Sequence, residues 1–311
     1  MTSAIISILI GLVALAIGGE LLVRGAVGIA QKLGVSTLFT GLVIVGFATS
    51  MPELVASVQA ALLGSPEIAW GNVAGSNISN SLLILGATAL IAPIVLSGMG
   101  KRDAAVGLAA SLILLGLAAL KLGSALIGAV LLALLLAYIF WRYTHPRPEG
   151  AEDEDDLDDA PSVLWLSVVF LAAGVGALVY GGSTLVGGAI IIATAAGLSE
   201  TVIGLTIVAI GTSLPELAAS AVAAFRGKPG LAIGNVVGSN IYNIFLIGGV
   251  TMIMVPKPIP FSLVDYELPL VALSAALIWL LLARAKQIGR MLGGLLLVGF
   301  LANTVYLLVA Q

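Results

Sequence analysis

The chain has 311 residues, of which 60% are hydrophobic and 9% are charged, and its mean hydropathy is +1.17. Charged side chains make up about a quarter of a soluble globular domain, so this composition excludes that class and indicates a polytopic membrane protein. The formal net charge of −3 carries little information because eight of the 16 acidic residues lie between Glu149 and Asp159, and the lack of cysteine excludes disulfides, thiolate metal sites and cysteine nucleophiles.

The first apolar segment predicts a membrane span that stays in the protein. No lysine or arginine precedes Arg24, so the segment lacks the basic region of a cleavable signal peptide. The stretch at 25–36 contains Gln31 and Lys32. It either prolongs the first helix along the membrane interface or forms a connection.

Ten apolar segments are long enough to cross a membrane, since about 20 helical residues span the hydrocarbon. They cover residues 4–23, 37–63, 69–95, 104–120, 123–141, 163–182, 199–225, 230–255, 268–283 and 291–310. Three glutamates near the ends of these segments are expected at the interface or as helix caps, namely Glu20, Glu67 and Glu200.

The distribution of basic residues predicts the orientation of these spans. With the N-terminus outside, eleven of the thirteen lysines and arginines fall in inner connections, and only Lys121 and Lys257 lie outside. This bias is the one that sets membrane topology. We therefore expect a multi-pass protein of the cell membrane with both termini extracytoplasmic.

The longest polar break runs from Arg142 to Pro161 and contains the acidic run E-D-E-D-D-L-D-D. Like charges at this density repel one another and favour a solvated linker, with cytosolic cation sensing as the minor alternative. The single histidine, His145, lies in this break and is given no catalytic role. We divide the chain into a first membrane repeat, an acidic cytoplasmic linker and a second membrane repeat, at residues 1–141, 142–162 and 163–311.

The two halves of the chain repeat one another. A shift of 163 residues aligns residues 41–86 with 204–249 without a gap, and 27 of these 46 positions are identical. Five predicted spans separate each residue from its counterpart, and an odd number reverses direction across the membrane. We therefore expect inverted halves, an arrangement that places the binding site of many secondary transporters near the midplane.

The sequence T-S-x-P-E occurs twice, ending at Glu53 and Glu216. Both glutamates fall inside apolar segments, where an unpaired charge costs at least about 2.5 to 3.5 kcal/mol, so we expect them to bind a ligand. Pro52 and Pro215 cannot donate to the carbonyls four residues earlier, and their rings crowd those turns. We therefore expect broken helices with free carbonyls near Ala48, Thr49, Gly211 and Thr212.

A second pattern, G-N-x-x-G-S-N-I-x-N, follows each glutamate. It places polar side chains at i, i+4 and i+8, which share a helix face. These are Asn72, Ser76 and Asn80 in the first half, and Asn235, Ser239 and Asn243 in the second. Two carboxylates with hydroxyl, amide and carbonyl oxygens form an all-oxygen shell suited to a hard cation such as Ca²⁺ or Na⁺.

These paired motifs resemble the two alpha repeats of the cation/calcium exchanger superfamily, particularly its prokaryotic Na⁺/Ca²⁺ exchangers. The resemblance covers essentially the whole chain. It implies an all-α polytopic membrane protein with ten transmembrane helices, arranged as two inverted five-helix repeats with discontinuous core helices and an inner linker.

The resemblance also implies a ligand set. Ca²⁺ would be held by the carboxylates of Glu53 and Glu216 and the backbone carbonyls of Thr49 and Thr212. Sodium would use the same glutamates together with Ser50, Ser76, Ser213, Ser239 and the carbonyls of Gly46 and Ala209, while Asn80 and Asn243 would line the pocket. Some prokaryotic relatives have aspartate at the position of Asn243, so the number of sodium ions and the proton dependence are left open.

Charge neutralisation suggests the mechanism. An empty pocket with two ionised glutamates carries a charge of −2. Closing the pocket around this charge in a low-dielectric environment is energetically unfavourable. One Ca²⁺ or two Na⁺ cancel that charge, so we interpret the chain as a secondary active Na⁺/Ca²⁺ antiporter that works by alternating access. Protons could also neutralise the pair, and H⁺/Ca²⁺ antiport is therefore the leading alternative.

Two other classes are weaker. A cation channel would use similar oxygens, but inverted discontinuous helices favour alternating access. An intramembrane serine hydrolase would need a histidine that the predicted spans do not contain, so we do not expect an enzyme. The expected partners are Ca²⁺, Na⁺ or H⁺ and the lipid bilayer, without a cofactor and without nucleic acid.

Overall fold

The computed structural model describes residues 2–96, 99–145, 163–197, 211 and 213–309. In the first half its helices are Thr2–Leu33 (α1), Thr37–Thr40 (α2), Gly46–Thr49 (α3), Met51–Leu62 (α4), Pro66–Ile78 (α5), Leu85–Ile91 (α6), Lys101–Ala119 (α7) and Ala125–Thr144 (α8). In the second half they are Leu164–Ala195 (α9), Leu214–Phe225 (α10), Pro229–Tyr242 (α11), Gly248–Met254 (α12), Glu267–Arg284 (α13) and Arg290–Val309 (α14). A 3₁₀ turn at Phe261–Val264 precedes α13.

Eight helical segments of the described chain are long and apolar enough to cross a membrane. A ninth is formed by the helical stretch Thr37–Thr49 and α4, which are bent by 43° relative to one another. The predicted segment 199–225 is represented by the shorter helix α10, and most of its first half lies outside the described residues. An all-helical membrane fold with eight to nine spans among the described residues is thus confirmed.

Several predicted boundaries need correction. Helix α1 continues to Leu33, so the stretch after Arg24 prolongs the first helix, and Glu20 lies within that helix and not at its end. Glu67 does lie in the first turn of α5, as expected of a capping residue. Helix α8 extends to Thr144, so the first residues assigned to the linker are helical; the rest of the linker from residue 146, like Glu200, lies outside the described residues.

The internal repeat is visible in the helix boundaries. Helices α4 and α10 each have 12 residues and start 163 positions apart, and so do the seven-residue helices α6 and α12. Each of α4 and α10 begins with a proline in its first turn, where the missing N–H has no helical partner to lose. The same sequence signal therefore starts the same helix in both halves.

The equivalent 32-residue helices α1 and α9 pack against each other along their length in opposite directions. A Cβ built on Gly18 would lie 2.8 Å from the Leu178 backbone nitrogen, while one on Gly188 would lie 2.6 Å from the Ala4 carbonyl oxygen. The start of α1 thus faces the later part of α9, and the middle of α1 faces the middle of α9, so the two helices are antiparallel. Glycine is needed at these crossings because two backbones meet there.

Two continuous spans form the centre of the described structure. In the spans Pro66–Ile91 and Pro229–Met254, 72% and 83% of the residues in the most apolar 18-residue stretch are buried. In the other six spans this share is 17% to 39%. Each central span contains a π-helical turn, at Ser79–Ile84 and Asn243–Ile247, and a third such turn occupies Gly41–Val45. Such turns are rare and frequently mark functional sites, and no pattern in the sequence predicted them.

A short strand pair joins the two halves. Ile94–Val95 (β1) and Gln287–Ile288 (β2) form an antiparallel ladder in which Ile94 faces Ile288. The Leu96 backbone N–H also donates to the Lys286 carbonyl at 2.8 Å. This pair connects the segment before α7 to the segment before α14, and the helix-only prediction missed it.

Candidate cation-binding site

Glu53 and Glu216 occupy the first turns of α4 and α10. Before α4 the helix breaks at Ser50, whose φ and ψ of −82° and 2° depart from helical values, and Ser213 has nearly the same angles before α10. Proline follows each break by two residues and cannot continue the helical hydrogen-bond ladder. The predicted discontinuity is therefore present before α4, where the bend is described, and Glu53 lies just beyond it. The residues that would form a helix before Ser213 lie mostly outside the described part of the chain.

Both carboxyl groups are buried, with only 2% of Glu53 and 3% of Glu216 exposed. The segments that carry them are joined through one amide: the Thr49 hydroxyl donates to Asn235 Oδ1 at 3.2 Å, and Asn235 Nδ2 donates to the Glu216 carbonyl oxygen at 3.2 Å. Each carboxyl group also belongs to the first turn of a helix, an end that favours negative charge. The two halves of the chain thus contribute one acid each to the same interior region.

Several buried polar atoms in this region have no hydrogen-bond partner within the described structure. One oxygen of each glutamate is in this group, and the others at predicted site positions are Ser50 Oγ, Ser239 Oγ and both side-chain polar atoms of Asn243. An unpaired buried donor or acceptor costs about 1 to 3 kcal/mol. Six of the twelve unpaired atoms among the described residues thus belong to predicted site positions, as expected where a ligand supplies the missing partners.

The structure brings predicted residues of the first half against predicted residues of the second. A Cβ built on Gly46 would lie 3.1 Å from the Ser239 backbone nitrogen. The Thr49 hydroxyl donates to Asn235 Oδ1 at 3.2 Å. Five further predicted residues are buried on these or adjoining segments, namely Ser50, Ser76, Asn80, Ser213 and Asn243. Thr212 and Ala209 lie outside the described residues.

Two asparagines hold the glutamate-bearing helices. Asn72 Nδ2 donates to the Glu53 carbonyl oxygen at 3.2 Å and to Ser57 Oγ at 2.8 Å. Asn235 Nδ2 makes the equivalent bonds, to the Glu216 carbonyl oxygen at 3.2 Å and to Ser220 Oγ at 2.9 Å. Sequence reasoning placed both asparagines on a polar stripe without giving them a role.

The serines that complete these contacts were missed altogether. Ser57 and Ser220 are fully buried and lie four residues after Glu53 and Glu216 on the same helix faces. Their repeat-equivalent positions and their spacing from the glutamates were visible signals. Serine is common on packed membrane helices, however, and the signal becomes specific only when the asparagine opposite is known.

The donor set consists of oxygens. Among the described residues no cluster of three or more acidic, histidine or cysteine side chains suitable for a metal ion occurs. The other described residues at predicted site positions offer hydroxyl, amide and backbone carbonyl oxygens. Such ligands suit hard cations that accept six or more oxygens, in contrast to transition metals held by imidazole or thiolate.

Comparison with known proteins identifies a family. The family model described as sodium/calcium exchanger protein matches residues 3–144 and 166–309. The putative antiporter CaxA of Alkalimonas amylolytica is 38% identical over 311 residues, covering 97% of each chain. The sodium/calcium exchanger MaX1 of Methanosarcina acetivorans is 30% identical over 339 aligned positions, which cover 96% of this chain and 97% of that protein.

Solved structures of the sodium-calcium exchanger NCX_Mj have the same fold. The structure soaked with zero Na⁺ and Ca²⁺ superposes with a TM-score of 0.83 at 31% identity and covers 98% of this chain and 99% of that chain. A structure soaked with 10 mM Na⁺ and 10 mM Sr²⁺ gives 0.82 at 31% identity, with coverage of 100% and 98%. The similarity extends over both halves and includes the helices that carry the two glutamates.

Proposed function

The chain belongs to the sodium/calcium exchanger protein family, and we propose that it is a secondary active antiporter that exchanges Na⁺ for Ca²⁺ by alternating access. The family is one of membrane exchangers, so the chain is a transporter and not an enzyme. One observation carries the proposal: two buried glutamates, one from each half, lie on segments that Asn235 links by hydrogen bonds, and each has an oxygen that no described residue satisfies.

Charge arithmetic connects this geometry to exchange. Two ionised carboxylates in the membrane interior are unfavourable unless paired, because desolvation is expensive there. One Ca²⁺ or two Na⁺ bring the pair to zero. Only a neutral, ion-loaded site can close on one side of the membrane and open on the other. Outward movement of one ion species is therefore coupled to inward movement of the other, and an empty site does not change sides.

We assign the ions to oxygens of both halves. Ca²⁺ binds the carboxylates of Glu53 and Glu216 and the backbone carbonyls of Thr49 and Thr212. Sodium ions use the same carboxylates, and the remaining ligands and lining residues are Gly46, Ser50, Ser76, Asn80, Ala209, Ser213, Ser239 and Asn243. The support within the described residues is the burial of these groups and the unpaired atoms of Ser50, Ser239 and Asn243.

We further propose ten spans in two inverted repeats of five, with both termini extracytoplasmic in the cell membrane. The repeats are residues 1–141 and 163–311, and the acidic cytoplasmic linker between them is 142–162, of which the first three residues continue α8. Equal helices 163 positions apart and the antiparallel packing of α1 on α9 support the inverted relation. The excess of lysine and arginine in one set of connections supports the orientation.

Vesicle flux tests the proposal. The purified chain is reconstituted in Na⁺-loaded vesicles, which are diluted into Na⁺-free buffer containing Ca²⁺, and Ca²⁺ entry is followed with a trapped indicator. Uptake should require the outward Na⁺ gradient and respond little to a pH gradient alone. It should vanish in Glu53→Gln and Glu216→Gln but persist in the matched control Glu67→Gln, since Glu67 also begins a helix but is exposed.

The alternatives give different results in the same vesicles. Uptake driven equally well by a proton gradient would replace Na⁺ with H⁺ and make the protein an H⁺/Ca²⁺ antiporter. Uptake without any counter-ion, at rates beyond those of a carrier, would indicate a channel. Full activity in both glutamine variants would contradict the site itself.

A further inference from the structure

The Asn235 carboxamide uses all of its hydrogen-bonding groups, although the residue is 1% exposed. Its Nδ2 donates to the Glu216 carbonyl oxygen and to Ser220 Oγ, at 3.2 and 2.9 Å. Its Oδ1 lies 3.2 Å from Thr49 Oγ1 and accepts from that hydroxyl. An asparagine amide offers two donors and one acceptor atom, and here each has a partner on another element.

These bonds link the two halves of the chain at the proposed site. Thr49 belongs to α3 of the first half, and Glu216 belongs to α10 of the second. Both provide ligands in the proposed Ca²⁺ site. The Thr49 hydroxyl also lies 3.1 Å from the Val45 carbonyl, so its single proton is shared between its own helix and Asn235. Asn235 thus connects a ligand residue of each half through one rigid planar group.

Asn72 occupies the equivalent position in the first half and holds Glu53 in the same way. In both halves the asparagine donates across 19 positions to a glutamate carbonyl and across 15 positions to a serine hydroxyl. The two bonds fix where each glutamate-bearing helix starts relative to the central span that packs on it. Such repetition in opposite halves indicates a constraint on the site and not a local accident of packing.

We propose that Asn235 is a positioning residue that sets the distance between the Thr49 and Glu216 ligands and thereby the size of the divalent cation that the site accepts. Asn72 does the same for Glu53. This inference rests on the proposed function. Ca²⁺ takes oxygens at about 2.3 to 2.6 Å, whereas Mg²⁺ requires about 2.0 to 2.1 Å. The amide does not hold the ligand atoms themselves but the Thr49 hydroxyl and the Glu216 carbonyl oxygen. Because these bonds fix the two residues relative to each other, their ligand oxygens cannot move closer together around the smaller ion.

Removing the tether should therefore relax discrimination against Mg²⁺. Asn235→Leu keeps the approximate volume and removes every hydrogen bond of the amide, while Ser220→Ala removes one of them. Calorimetry on the purified full chain in detergent measures the Kd values of Ca²⁺ and Mg²⁺ separately. We expect the ratio of Mg²⁺ to Ca²⁺ Kd to fall roughly tenfold in Asn235→Leu, in line with the loss of one or two net hydrogen bonds, and less in Ser220→Ala.

Asn77→Leu is the matched control. Asn77 is as buried as Asn235 and lies on α5, but its Nδ2 donates only within its own helix, to the Val73 carbonyl at 2.7 Å. It should change thermal stability without changing the Kd ratio. A ratio that is unaltered in Asn235→Leu and Ser220→Ala, or altered equally in Asn77→Leu, would overturn the inference.

The same measurements separate this inference from the proposed function. A wild-type protein that binds Ca²⁺ in detergent but fails to exchange it in vesicles contradicts the antiporter proposal, while the Kd ratios of the variants still test Asn235. A wild-type protein that binds neither cation overturns both. Should Asn235→Leu fail to fold, Ser220→Ala and Asn72→Leu provide the comparison with Asn77→Leu.

Discussion

Glu53 and Glu216 stand 163 positions apart in the chain, yet each is buried in the first turn of a 12-residue helix, and Asn235 links the segments that carry them by hydrogen bonds. In the proposed mechanism, the two ionised carboxylates repel each other when no cation is bound. This repulsion is released when a cation binds, or when one charge is removed. The stability of the protein should therefore depend on ions through these two residues.

We expect Ca²⁺ to raise the Tm of the wild-type protein, because a ligand that binds only the folded state at 100 times its Kd adds about 2.7 kcal/mol. Glu53→Gln should have an ion-free Tm at least equal to that of the wild type and should lose most of the Ca²⁺ effect. Glu67→Gln should respond to Ca²⁺ as the wild type does. Thermal unfolding in detergent measures each Tm, and a full Ca²⁺ shift in Glu53→Gln would contradict the assigned site.

Asn243 offers a second test of charge neutralisation, because it is buried and neither of its side-chain polar atoms has a partner in the described structure. Asn243→Asp would add a third carboxylate, so that one Ca²⁺ leaves a charge of −1. Ca²⁺ transport by this variant should then slow as pH rises, since a proton must accompany the ion. The rate of uptake across a pH series checks this. Asn243→Ser is the uncharged control, and a pH profile shared by both variants would argue against the mechanism.

Breaking the buried ion pair between Asp103 and Arg142, which lies outside the proposed cation site, should lower the stability of the protein strongly. Arg142 Nε donates to Asp103 Oδ1 at 3.0 Å, the Tyr138 hydroxyl donates to the same oxygen at 2.9 Å, and Asp103 and Arg142 are 0% and 2% exposed. Removing one of the two charges leaves the other buried without a counter-charge, which should lower the free energy of unfolding by about 3 to 5 kcal/mol.

Asp103→Asn and Arg142→Met should therefore each lower the Tm strongly. The double variant should lower it by less than the sum, because neither charge is then left alone. Thermal unfolding of the four proteins forms the double-mutant cycle. Additive losses would mean that the pair does not interact. The proposed cation site contains neither residue, so Ca²⁺ should still raise the Tm of each variant that folds.

The contact between α1 and α9 should tolerate no side chain at its glycine crossings. A Cβ on Gly18 would lie 2.8 Å from the Leu178 backbone nitrogen, whereas one on Gly176 would meet no atom within 4 Å. Gly18→Leu should destabilise the protein by about 1 to 3 kcal/mol through overpacking, and Gly176→Leu should not. Thermal unfolding of both variants makes the comparison, and equal losses would show that the helices do not meet at Gly18.

The sequence by itself determined the class of protein and the position of the acids. Membrane spans can be read from composition, because a helix that crosses the hydrocarbon needs about 20 predominantly apolar residues and forms its backbone hydrogen bonds within itself. The repeat and the two T-S-x-P-E motifs identified Glu53 and Glu216, since an acid at that depth is costly whatever its neighbours are. The broken helix before Glu53 also follows locally from Pro52, which cannot donate a backbone hydrogen bond.

The tertiary structure decided which of these groups meet. The Thr49 hydroxyl reaches Asn235 across 186 positions, and Asp103 pairs with Arg142 across 39. Such contacts depend on how separate helices are placed and rotated against each other, which local periodicity does not specify. The π-helical turns at Ser79–Ile84 and Asn243–Ile247 belong to the same class, because an extra residue in a turn is kept only where surrounding packing compensates for it.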